Sequence, residues 1–295
     1  MAAIKPALLA IIVCGGFPGA LQAQAASDPV SPPDGVEVHA GYENHRDHFR
    51  YTFADPSNID TDFPVPHTFT QRYVASNQWI FVTGRYAIHD DVMETEFAMT
   101  PERQSAGSDL DTFFDPNNDV VVSGTSGEVK LRSLRFTHWS EGRLWGLPWR
   151  VGYAFRRDRS QFLPTDRIVT HSNPPSEIHS PTFGRETTIS QVHEIPIEIS
   201  QPYTVFSTWR IVPRGVISPL ILARLITKLP DKYPGQDIVF DAKAIGVAGG
   251  IEIARQRGWP IALSLHYGQT WGYRAARQYR RDVLAAAVRI GLGTP

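Results

Sequence analysis

Two aspartates stand two residues apart at Asp109-Leu110-Asp111, with Asp115 and Asp119 close behind. On an extended segment, side chains at that spacing point the same way. Carboxylates held close together share a proton and polarise a water. The same residues have plainer readings: acidic side chains keep a loop solvated or hold calcium loosely. Asp115-Pro116-Asn117-Asn118-Asp119 has the look of a calcium loop, but it lacks the Gly and the terminal Glu of the helical type. His171 and His179 fall in a polar stretch at 161–186, and His193 opens a strand. None has the spacing of a metal site, and each reads as solvated or locally hydrogen-bonded. There is no Gly-x-Ser-x-Gly elbow and no phosphate-binding glycine loop. Ser123-Gly124-Thr125-Ser126-Gly127 reads as a flexible strand entry. No cofactor and no metal is expected.

What must position these residues is written at the two ends of the chain. Residues 1–25 read as an export signal, with Lys5 ahead of an apolar run from Ala7 to Val13 and a small-residue cleavage site at Ala23-Gln24-Ala25. The one cysteine, Cys14, lies inside it, so a cleaved chain has no disulfide and no thiol nucleophile. Residues 26–35 form a Pro-rich lead-in, and 36–295 read as one domain. The balance of 29 basic and 30 acidic side chains argues against a nucleic-acid binder. No stretch approaches the roughly 20 apolar residues of a membrane helix. Strands that alternate lipid-facing and lumen-facing residues need no such stretch.

That alternation is clearest near the C-terminus. Leu284, Ala286, Val288, Ile290 and Leu292 share one face, and Val283, Ala285, Ala287, Arg289 and Gly291 the other. Upstream, Ile261, Leu263, Leu265, Tyr267 and Trp271 oppose Ala262, Ser264, His266, Gly268 and Thr270. The large set faces outward and the small, polar set inward, the reverse of a soluble sandwich. The fold expected is all-β: a closed antiparallel transmembrane β-barrel of about ten strands. Strands are expected at about 36–53, 68–76, 78–88, 91–99, 127–140, 147–160, 187–201, 203–212, 216–228, 237–255, 261–271 and 283–292. The count taken from them is ten, give or take two, and ten is an even total such barrels allow. Tight turns are expected at Ala75-Ser76-Asn77-Gln78, His89-Asp90-Asp91 and 142–146. Long outer loops are expected at 54–67, 100–122, 161–186 and 229–236.

This order of features resembles the omptin family, the ten-stranded outer-membrane proteases. Val38-His39-Ala40-Gly41-Tyr42, running to Arg50-Tyr51, looks like that family's opening strand. Asp109-Leu110-Asp111 falls where the family carries an Asp-x-Asp pair. Gly152-Tyr153 with Phe162 resembles its next membrane strand, and 237–292 matches in strand order and length. The resemblance implies a water activated between Asp109 and Asp111 on one side and an Asp-x-His couple on the other. Here that couple reads Asp231-Lys232-Tyr233. Asp231 fits, but a tyrosine titrating near pH 10 cannot accept a proton at neutral pH as imidazole does. His171 or His179 would substitute only if a loop folded over the mouth. The resemblance also suggests lipopolysaccharide as a partner for Arg132, Arg135, Arg156 and Arg157, which otherwise read as charged lumen residues. The function expected is surface binding or adhesion of a peptide or protein in the bacterial outer membrane, with an incomplete protease site. The alternatives are an active Asp-dependent endopeptidase and a small porin, the last disfavoured because ten strands close too tightly for a wide channel.

Overall fold

A computed structural model describes residues 35–55, 67–88, 91–114, 120–144, 147–182, 184–205, 208–231, 234–255, 260–272 and 277–292. Thirteen strands fill them: β1 Gly35–Asp55, β2 His67–Ile88, β3 Asp91–Met99, β4 Arg103–Phe114, β5 Val120–Leu144, β6 Leu147–Ser172, β7 Pro175–His179, β8 Glu186–Ser200, β9 Tyr203–Val205, β10 Trp209–Lys228, β11 Asp237–Arg255, β12 Ile261–Gly272 and β13 Arg277–Gly291. β3 and β4 are two lengths of one wall strand, since both pair with β2 on one side and β5 on the other. Across their break at Thr100, the Thr100 amide donates to Ser133 O at 2.9 Å, and the Ser133 amide donates to Thr100 Oγ1 at 3.0 Å. The wall is therefore a ring of ten antiparallel strands, closed where β1 pairs with β13 from His39↔Gly291 to Phe53↔Arg277. Closure leaves no strand edge, which is what hydrocarbon demands of a spanning sheet. Outside the ring, β7 folds back on the end of β6, while β9 continues β8 along the start of β10 in the same register.

Short connections and both barrel termini gather at one end, the turn end. The connections after β1, β4, β6, β10 and β12 gather at the other, the loop end. Leu263, Leu265, Leu284, Val288 and Ile290 are all exposed, while Ala262 and Ala285 between them are buried. The large residues therefore face out. Register places Tyr42 beside Val288, Val288 beside Leu263, Leu263 beside Ile253 and Leu265 beside Ile251, giving a continuous apolar belt. The belt continues through Val82, Phe97, Leu134, Tyr153, Ile197 and Ile217. On β1 it ends where Asn44 gives way to Arg46, His48 and Arg50 on the outer face. Beyond that level the wall rises clear of the bilayer.

Four expectations need correcting. The stretch 161–186 is mostly strand, since β6 runs on to Ser172 and β7 folds back against it. Residues 75–78 are not a turn but the middle of β2, because Asn77 faces inward and finds a polar partner there. The stretch 100–122 is not a loop: β4 and the start of β5 occupy most of it, above the belt, where both faces of a strand are polar and alternation disappears. The strands expected at 203–212 and 216–228 are largely one, β10. Its pairing with both neighbours shifts between Ile217 and Ile221, around Pro219, which has no amide for a ladder bond.

Candidate functional site

The lumen is packed in layers. Nearest the loop end is an apolar layer in which Phe49, Tyr51, Val129, Phe162, Ile221, Leu225, Phe240 and Tyr279 meet. Below them lies Asp47, with no exposed surface. Arg281 grips its Oδ1 through Nε at 3.1 Å and a terminal nitrogen at 2.9 Å. Asn77 donates to Oδ2 at 2.9 Å and Arg156 at 3.3 Å, while Arg156 also holds Asp158 at 2.7 Å. The guanidinium groups of Arg156 and Arg281 lie against the ring of Phe49 at 5.2 and 5.4 Å.

One step further down, Arg135 bridges Glu43 at 2.6 Å and Glu96 at 2.8 Å and covers Trp79. Glu43, His45 and Asp47 are successive inward positions of β1, so one strand supplies three polar groups to the lumen. Gly41 is the next inward position down. A Cβ there would lie 2.2 Å from the ring of Phe81, which occupies that space. Toward the turn end follow Arg150 with Glu94 and Glu198, Arg214 and Arg289 with Glu252, and Arg85 with Glu141. Two adjoining cavities open among them, of about 360 and 850 Å³. They share Arg150, Arg214 and Arg289 in their walls, and the larger reaches Glu37, Arg143 and Pro260 at the turn end.

The residues singled out in the sequence are only partly brought together. Asp109 and Asp111 do share one face, on β4 at the loop end, with Asp109 opposite Thr125 and Asp111 opposite Ser123 of β5. Asp111 is buried. Asp231 is exposed on the turn after β10 and lies against Gly184. It shares the loop end with the pair, but β5, β6 and β8 stand between them in the wall. Tyr233, Asp115 and Asp119 lie outside the described residues. His171 is on β6, and the exposed His179 is 3.4 Å from Asp166.

Of the four arginines, Arg132 and Arg157 face outward and are exposed. Arg135 and Arg156 are corrected to lumen residues, since both are tied to inward-facing carboxylates. The Asp47 cluster and the Glu43–His45 pair escaped sequence reading altogether, because their partners come from β2, β5, β6, β12 and β13. The signal that was available is the run of ionisable residues at alternate positions, Glu43-x-His45-x-Asp47, on a strand whose other face suits lipid.

A closed ring with an apolar outer belt and a polar, ion-paired interior defines an outer-membrane β-barrel. Among solved structures the chain is similar to the outer membrane protease OmpT from Escherichia coli, with a TM-score of 0.56 at 8% sequence identity, covering 87% of this chain and 97% of that one. The fold is thus omptin-like, as the sequence suggested. Looser likenesses are to the β domain of the Bordetella autotransporter BrkA (TM-score 0.38, 9% identity, 87% of this chain and 99% of that one) and to the translocator domain of NalP from Neisseria meningitidis (0.35, 11%, 87% and 88%). No protein-family model and no curated protein sequence matches the chain.

Proposed function

We propose that the chain is a non-conducting, surface-displayed binding barrel of the bacterial outer membrane. The observation that carries this reading is the filled lumen. Asp47 with its two arginines and Asn77, under the layer of Phe49, Tyr51 and Tyr279, puts buried side chains across the lumen between the turn-end cavities and the loop end. A binding role also suits the wall that rises above the belt and presents polar residues on its outer face. Purified protein in planar lipid bilayers is expected to give no unitary conductance steps and to leave dibasic peptides intact. Steady steps would favour the porin. Cleavage that Asp111→Asn abolishes would favour the endopeptidase.

The outer wall supports a lipid partner as well. Arg132 and Arg159 face each other directly across β5 and β6, and Arg157 stands opposite Leu134 at the top of the apolar belt. Three exposed guanidiniums at that level repel one another unless anions lie between them. Lipopolysaccharide phosphates are the anions proposed. A ligand at a hundred times its dissociation constant stabilises by about 2.7 kcal/mol. The melting temperature of the detergent-solubilised barrel should therefore rise on adding lipopolysaccharide, and rise less in an Arg132→Ser, Arg157→Ser double variant. An equal rise in both would exclude these arginines as the site.

A further inference from the structure

We propose that Glu43, His45 and His266 form a binding site for one first-row transition-metal dication, reached from the turn end of the barrel. Each residue aims one donor atom at a common point, and these atoms lie within 4.8 Å of one another. Glu43 Oε1 is 2.5 Å from His45 Nε2 and 3.4 Å from His266 Nε2. A tetrahedral dication bonded to N and O at about 2.0–2.2 Å sets its donors roughly 3.4 Å apart, inside this spread. The two rings stand edge to face with centroids 6.0 Å apart, so neither blocks the space between them.

A second observation points the same way. His45 is almost fully buried, and apart from the 2.5 Å approach of Glu43 Oε1 to its Nε2 its ring nitrogens have no hydrogen-bond partner among the described residues. Folded proteins rarely leave such groups unsatisfied, and an ion that both imidazoles ligate is one established reason for it. The surroundings suit a cation. Arg135 takes the other oxygen of Glu43 and is itself balanced by Glu96, which leaves one net negative charge. That outer contact also fixes which carboxylate oxygen faces the imidazoles. His266 borders the 360 Å³ cavity, so a water or a small ligand can take the fourth position. Two imidazoles and a carboxylate favour zinc, nickel, cobalt or copper over calcium or magnesium. Glu43 and His45 stand two apart on β1, but His266 comes from β12, more than 200 residues on, so no local spacing announces the full set.

The test uses the full-length barrel folded in detergent and stripped with a chelator. Co²⁺ is the probe, read by its visible ligand-field absorption, with Zn²⁺ as competitor. One equivalent of Co²⁺ is expected to bind with a tetrahedral spectrum and to be displaced by Zn²⁺. His266→Ala, at the cavity edge of the site, should weaken binding at least ~100-fold while heat-modifiable migration shows the barrel still folded. Glu43→Gln should do the same where it folds. His179→Ala, on the exposed β7, should change nothing. Absence of stoichiometric binding, binding that survives His266→Ala, or binding that falls equally with His179→Ala would overturn the site.

Discussion

Replacing Asp47 by alanine should destabilise the barrel by about 3–5 kcal/mol, because it leaves buried guanidinium charge without its partner. Arg281 makes both of its described hydrogen bonds to this one carboxylate, while Arg156 retains Asp158. The loss would appear in equilibrium urea unfolding from detergent or lipid vesicles. Asp47→Asn, which keeps the shape and an acceptor oxygen, should cost less. If the alanine variant lost under 1 kcal/mol, water would have to reach the arginines, and the proposed seal would fail with it.

The second large effect tests the membrane belt. Leu265→Arg, in the middle of the apolar face of β12, is expected to cost about 2–4 kcal/mol in a bilayer, falling toward 0–1 kcal/mol near the interface. Val239→Arg makes the same change on the outer face of β11 close to the loop end, where the partner strand already carries Arg224 opposite Asp241. It should fall at the lower end of that range. Equal costs at the two positions would mean that the wall does not cross the bilayer at the level of Leu265.

What was legible in the sequence follows from which physical rule each segment obeys. β11, β12 and β13 cross the bilayer, so large apolar and small residues must alternate along them. The limits of β11 and β12 could be read almost to the residue, while β13 begins at Arg277 and not at 283, its first residues outside the membrane being charged. β4 and the outer part of β5 stand in water on one side and face a polar lumen on the other, so they resemble loops. The Ala75–Gln78 stretch misled for a related reason: small and polar residues mark a turn in a soluble protein, but in β2 Asn77 is a lumen residue held by Asp47. In the candidate site, Asp109 and Asp111 could be read as a pair because period two places both on one face. The ion-paired interior could not, since Arg281 lies 234 residues from Asp47. Inward glutamates and arginines were visible as charges but not as partners, and only closure of the ring assigns them to each other.

The Asp47 cluster also bears on how the chain finds its shear. Alternation of large and small residues tells a strand which face is which, but a slide by two residues preserves every face. Moving β13 two places along β1 would keep Leu284, Val288 and Ile290 in lipid and Ala285 in the lumen. Hydrophobicity cannot penalise that error. A slide that sets Asp47 opposite Ala285 carries Arg281 about 6–7 Å further from it, beyond hydrogen-bond reach, and leaves Asp47 Oδ1 without its partner at the seam. In the observed pairing, Phe49 is opposite Arg281 and Asp47 is opposite Val283, so guanidinium and carboxylate meet diagonally. Oily residues on the outer wall are interchangeable with one another. The charges inside act as an address, read at the moment the first and last strands meet, that marks the native stagger against the neighbour that pulls them apart.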